Sequence, residues 1–195
     1  MSKFIITGGP GAGKSTLIEA LRAAGFHCFD EISRQLIQQE VASGSQCLPW
    51  VDLDCFARLA LKGMIADHKR ASTFGQDQAL FFDRAIPDII AYLRVGDVPV
   101  DALFQQAVQQ YPYQPTVFVA PPWEAIYVND AERWQTFAES CALHDAIVET
   151  YQQLNFTLIE LPRSSAADRV DFVLSTVSQY VPMSTGTRNS STKLN

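Results

Sequence analysis

Ile5-Ile6-Thr7-Gly8-Gly9-Pro10-Gly11-Ala12-Gly13-Lys14-Ser15-Thr16, or IITGGPGAGKST, decides how the rest of the chain is read. It has four glycines, one lysine and three hydroxyls after an apolar start. Gly8 to Ser15 matches G-x-x-x-x-G-K-[ST], the Walker A pattern, without a mismatch. By typical residue frequencies a chance match is on the order of one per cent, too rare to explain the run. Such glycines let backbone N–H groups turn inward toward phosphate oxygens. A helix that follows adds its positive N-terminal end. Gly8, Gly9, Pro10, Gly11, Ala12, Gly13, Lys14, Ser15 and Thr16 are therefore expected to cradle a nucleoside triphosphate. Lys14 is expected at the β/γ-phosphates and Ser15 on Mg²⁺, so ATP and Mg²⁺ are the implied cofactors.

Outward from this run, apolar strands alternate with helical patterns. Lys3 to Thr7, Phe26 to Phe29, Ala79 to Phe82, Thr116 to Ala120 and Phe156 to Leu161 read as strands. Ser15 to Ala24 has helical spacing at Leu17, Ile18 and Leu21, and Gly25 is a candidate helix end. Helices are also expected over Ile32 to Glu40, Val51 to Lys69, Pro87 to Leu93, Asp101 to Gln110 and Glu132 to Leu154. Val41 to Pro49 reads as loop. A last helix begins at Ser165, with Asp168 in the place of a capping-box acid. Five apolar strands separated by helices imply an α/β fold, a parallel sheet with helices on both faces. Residues 1–182 form one expected domain, and 183–195, rich in Ser, Thr and Asn, an expected disordered tail.

Ligands in such sheets bind at the carboxyl ends of strands. Ala79-Leu80-Phe81-Phe82 ends in Asp83, the expected second Mg²⁺ group. Motor ATPases often follow that acid with Glu, which orients water. Here Arg84 follows, which stays protonated and suits an anion instead. Phe29 is followed by Asp30-Glu31, and Glu31 is a candidate general base toward an acceptor hydroxyl, with Arg34 one turn later.

Composition narrows the function class. The chain has 195 residues, 47% hydrophobic and 18% charged, which is globular composition. A net charge of -6 disfavours a nucleic-acid enzyme such as a polynucleotide kinase. No apolar run reaches membrane-span length. Cys28, Cys47, Cys55 and Cys141 are scattered and show no zinc-like spacing with His27, His68 or His144. Free thiols in a reducing cytoplasm are the expectation. The N-terminus enters strand and glycine loop at once, so no cleavable leader is expected.

GGPGAGKST, DEISR, FFDRAIPDIIAYL, NDAERW and LPRSSAADRVDFVL occur in this order. They resemble the NadR-like AAA domain family of predicted P-loop ATPases, itself similar to nicotinamide riboside kinase and nucleoside or nucleotide kinase domains. The resemblance spans about Lys3 to Val181. It implies the P-loop NTPase fold with kinase-type strand order, the Asp83 strand beside the phosphate-loop strand. It also implies a lid near Tyr127 to Arg133, with Arg133 approaching the transferring phosphate, and Pro162-Arg163-Ser164 near the nucleotide base. Gln46 to Arg70 lies where related kinases build the acceptor pocket, and Trp50 or Phe56 could stack there. No motor-type acid pair follows the third strand, and no small appended helical domain is expected.

Two functions are carried forward. One is a Mg²⁺-dependent kinase that moves the γ-phosphate of ATP to a nucleoside- or nucleotide-like small molecule. The other is an ATPase acting as a nucleotide-dependent regulatory switch with a protein partner.

Overall fold

The computed structural model describes residues 1–75, 78–127 and 136–180. Among them run strands β1 Ser2–Gly8, β2 His27–Phe29, β3 Ala79–Asp83, β4 Thr116–Ala120 and β5 Thr157–Glu160. The helices are α1 Lys14–Ala23, α2 Ile32–Ser43, α3 Leu53–Ala71, α4 Ile86–Val95, α5 Ala102–Gln110, α6 Phe137–Gln153 and α7 Ala166–Val177. The strands form one sheet in the order β2-β3-β1-β4-β5, parallel at every pairing.

Side-chain alternation along β1 explains the layers. Phe4 and Ile6 pack with Leu17, Leu21, Val173 and Val177 from α1 and α7. Ile5, between them, packs with Ala91, Leu143, Ile147 and Tyr151 from α4 and α6. Successive strand residues face opposite sides, so helices cover both faces. Outside α4, helices α3 and α5 add a further apolar layer around Leu61, Ile90 and Phe104. The register sets Ile6 opposite Asp83 and Gly8 opposite Ala120. The chain leaves β1 for β2 on one side and returns to β4 on the other. A crevice therefore opens at the carboxyl ends of β1, β3 and β4.

Local chemistry accounts for the boundaries. Gly25, at φ +94°, ends α1 with Phe26 N donating to Leu21 O at 3.1 Å. Ser165 and Asp168 form the capping box of α7. A second box, Thr136 with Glu139, starts α6 at Phe137, later than the expected Glu132. Residues 128–135 and 181–195 lie outside the described residues, and with them most of the expected lid, Arg133 and the tail.

Two expectations need correction. Val41 to Ser43 is not loop, because α2 continues to Gly44, whose φ of +69° stops it. The cysteines are not all free: Cys47 and Cys55 are bonded, with Cα atoms 5.4 Å apart. Eight residues of separation give no sequence signature, and only the turn of the chain into α3 brings the thiols together. Thiol titration of unreduced, unfolded protein should return two free thiols, Cys28 and Cys141. Four would rule the bond out. A thiol reductant should lower the urea midpoint by about 2 kcal/mol equivalent, because the cross-link limits the unfolded chain.

Candidate active site

The phosphate loop needs its glycines. Gly8 sits at φ +130°, where a Cβ would lie 2.3 Å from Ala120 O. Gly13, at φ +80°, is the last residue before α1, and a Cβ there would crowd the Arg169 guanidinium. Lys14 opens α1 and is 5% exposed, with Nζ donating to Gly9 O at 2.8 Å. Burial lowers its pKa to about 8, with Arg84 adding to the shift and Asp83, Glu31 and Asp88 opposing it. From the sides, Ser140 Oγ donates to Pro10 O at 2.8 Å and Arg169 Nη1 to Ala12 O at 2.8 Å. Long-range bonds from α6 and α7 thus hold the loop carbonyls.

Asp83 arrives at the end of β3, 4% exposed. Ser15 Oγ donates to its Oδ2 at a long 3.4 Å, and Oδ1 is buried without a partner. Burial raises the Asp83 pKa to about 6; Glu31 adds to this, and Lys14 and Arg84 pull it back. An orphaned carboxylate oxygen on a residue already bonded to the Ser15 hydroxyl fits a hard divalent cation. No cluster of three His, Cys, Asp or Glu side chains suited to a metal occurs among the described residues. A Mg²⁺ site completed by substrate phosphates needs none.

Arg84 follows Asp83 with φ +72°, an uncommon backbone for a side chain of its size. Its N–H stays bonded to Ile6 O at 3.0 Å, which fixes the turn. Nε donates to Glu31 at 2.8 Å, and Nη1 donates to Gly8 O at 3.1 Å and Asp88 at 3.2 Å. The guanidinium also lies 5.3 Å from the Tyr92 ring centre. Burial would raise the Glu31 pKa, but Arg84 and Lys14 outweigh it and hold it at about 2. Glu31 is therefore ionised at neutral pH. Asp30, its neighbour, is turned away and pairs with Arg22 at 2.6 Å on the surface.

A cavity of about 780 Å³ joins Lys14, Ser15, Glu31 and Arg84, while Asp83 lies behind its lining. One end holds Gly11, Gly13, Lys14, Ser15 and Thr16; Glu31, Arg34, Arg84 and Asp88 line the middle. Ile37, Leu53, Phe56, Ala60, Met64 and Ile89, with Tyr92, give the cavity a largely apolar lining. Of the two aromatic side chains expected to stack, Phe56 lines the cavity. Trp50 does not line the cavity and is 50% exposed, because it sits on the turn before α3 rather than on its inner face.

Trp123, Ser164, Ser165, Ala166 and Arg169 line another part of the cavity, near the loop. The Arg169 guanidinium lies 5.1 Å from the Trp123 ring centre, and Nε donates to Pro162 O at 2.7 Å. Arg169 Nη2 and Ser164 Oγ are buried with no partner. Of the expected 162–164 turn only Ser164 lines the cavity, whereas nothing in the sequence singles out Arg169. It sits inside the quoted LPRSSAADR, yet its placement depends on α7 packing against α1.

With this geometry the chain can be set beside known proteins. The AAA domain family profile matches residues 3–169. The chain belongs to that AAA domain family. No curated protein matches it. Among solved structures it is similar to a NadR protein in complex with NR, with TM-score 0.73 and 17% identity. That match covers 93% of this chain and 52% of the other, so this family member spans about half the length of NadR. Deoxyadenosine kinase from M. mycoides matches with TM-score 0.62 and 15% identity, covering 91% of this chain and 99% of the other. Thymidylate kinase from Candida albicans gives TM-score 0.66 and 12% identity, with 92% of both chains covered. At these identities the likeness establishes a P-loop kinase-type fold. The strand order expected from the resemblance, with β3 beside β1, is observed.

Proposed function

We propose that this AAA domain protein is a Mg²⁺-dependent phosphotransferase that moves the γ-phosphate of ATP to a hydroxyl of a nucleoside- or nucleotide-like acceptor. The observation that carries this is the closed linkage of Glu31 and Arg84 to the phosphate loop, at the floor of a largely apolar cavity. Transfer needs a second pocket beside the γ-phosphate, and hydrolysis does not. The names of the structural neighbours, nucleoside and nucleotide kinases, support the same class.

In this scheme the loop N–H groups and Lys14 hold the triphosphate and gather its developing charge. Glu31 accepts the acceptor's hydroxyl proton as its oxygen bonds to the γ-phosphorus, and ADP leaves with the bond it breaks. A carboxylate with a pKa of about 2 is a weak base. It suits a loose transition state, in which little proton transfer is needed before the phosphoryl group is captured. Ser15 and Asp83 would hold Mg²⁺, which neutralises phosphate charge when bound. Arg133, outside the described residues, is proposed as a further cation at the transferring phosphate. A cytoplasmic setting goes with the supply of ATP, although the Cys47–Cys55 bond removes part of the cysteine argument for it. The switch alternative has no observation in its favour.

Screening nucleosides, including nicotinamide riboside, and nucleoside monophosphates with ATP and Mg²⁺ tests the proposal. One class should give a phosphorylated product by mass. ADP formation that no acceptor stimulates would sink it.

Trp123, Ser164 and Arg169 are proposed to receive the base of ATP, since all three line one cavity and Ser164 Oγ and Arg169 Nη2 have no partner. Arg169→Lys keeps the charge but loses the planar fork that bridges Ala12 O, Pro162 O and the cavity. ATP affinity by calorimetry should fall about tenfold, or ~1.4 kcal/mol. An unchanged Kd would remove Arg169 from the nucleotide site.

A further inference from the structure

Asp88 lies one turn into α4 and is 1% exposed. A carboxylate buried so deeply must be matched by donors. It has four. Thr7 Oγ1 donates to Oδ1 at 2.5 Å and Arg84 Nη1 donates to the same oxygen at 3.2 Å. Ala85 N donates to Oδ2 at 2.9 Å and the Tyr151 hydroxyl donates to it at 2.5 Å. The four come from β1, from the turn after β3 and from α6. Only one of them, Arg84, belongs to the catalytic cluster.

Four donors fill the acceptor sites of the carboxylate, and one of them also ties it to the catalytic cluster. Arg84 holds Glu31 through Nε and meets Asp88 and Gly8 O through Nη1. Two carboxylates thus grip different edges of one planar fork, from the start of α2 and from α4. Thr7 directly precedes the glycine loop, so the same carboxylate also ties to the start of the phosphate cradle. Tyr151, fully buried on α6, is outside the cavity lining, and its hydroxyl serves Asp88.

We propose that Asp88, locked by Thr7 and Tyr151, is a positioning residue: it fixes the Arg84 guanidinium and through it the direction in which Glu31 meets the acceptor hydroxyl. This rests on the phosphotransfer function above. Without the Asp88 grip, Nη1 keeps only Gly8 O and the guanidinium face only Tyr92, so less opposes a turn of the Arg84 plane with Glu31 toward the cavity. Small losses of alignment at a reacting centre cost rate out of proportion to their size. ATP binding draws on the loop and Lys14, so it is largely spared.

The test compares the full chain with Asp88→Asn and Tyr151→Phe. Asn keeps shape and an acceptor oxygen but not the charge. Phe keeps ring volume and removes only a hydroxyl remote from the cavity, which guards against a misfolded first variant. Two readouts are taken. The first is NMR of the ¹⁵N-labelled Arg84 side chain without substrate, where a held guanidinium rotates slowly and shows separate Nη signals. The second is ATP-dependent phosphorylation of the acceptor found by the screen. The expected result is averaging of the Arg84 signals in both variants. With it, kcat falls about tenfold or more while the ATP KM stays within about twofold, the pattern of lost alignment rather than lost binding. Unchanged Arg84 signals in both folded variants overturn the proposal. So does averaging with an unchanged kcat. Averaging in a protein that phosphorylates no acceptor overturns the phosphotransfer function instead, and leaves the grip of Asp88 on Arg84 supported.

Discussion

Lys14→Ala is expected to lower kcat/KM for ATP by about 10³-fold, the scale of losing a preorganised charge from a water-poor site. Lys14 is 5% exposed and its Nζ rests on Gly9 O, a contact that a triphosphate would replace. Burial lowers its folded pKa to about 8, with consequences for both binding and stability. The cation predominates at pH 7, and the free protein loses it as pH rises through 8, so ATP affinity should weaken there. A base whose pKa is depressed by folding destabilises the fold while charged. The Ala variant should therefore unfold no more easily at neutral pH than the wild type, judged by its urea midpoint. Activity within about tenfold of wild type would contradict the role, since one lost transition-state donor alone costs more. Low activity with a collapsed urea midpoint would assign the loss to folding.

Glu31→Gln should cut kcat by about 10²-fold, the low end of what a general base supplies because its pKa lies far below neutrality, with little change in ATP affinity. Gln can still accept from Arg84 Nε, so the geometry is largely kept while the proton acceptor is gone. Unchanged kcat would show that the hydroxyl proton leaves by another route. A pH-dependent stability difference should accompany it. The folded pKa of Glu31, about 2, lies below its ordinary 4.5 because Arg84 and Lys14 outweigh burial. Its carboxylate therefore contributes stability above pH 4.5, and that contribution fades as pH falls from 4.5 toward 2. The gap in melting temperature between wild type and variant should be widest near neutrality and close in acid. A gap that does not change with pH would mean that the Arg84 contact does not hold Glu31 ionised.

Lys14 and Glu31 are both legible in the sequence, and for the same reason: each is fixed by its immediate neighbours. Gly8 to Ser15 is one continuous stretch whose glycines, lysine and hydroxyl act through their own backbone and the start of the next helix. Glu31 and Asp83 each sit just past or at the end of an apolar strand, where a parallel sheet presents its ligands. Arg84 is legible as a cation in place of a water-orienting acid. Its two carboxylate partners are not. Trp50 shows the limit from the other side: aromatic and in the right region, it sits on an exposed turn and misses the cavity.

By itself the sequence determined the α/β alternation, the strand ends and the phosphate loop, because these follow from residues close in the chain. Only the tertiary structure decided which side chains converge from afar. Arg169 reaches Ala12 across 157 residues, Tyr151 reaches Asp88 across 63, and Cys47 meets Cys55 only because the chain turns into α3. Such contacts depend on how helices seat on the sheet. That packing is set by the whole core, and no local pattern encodes it.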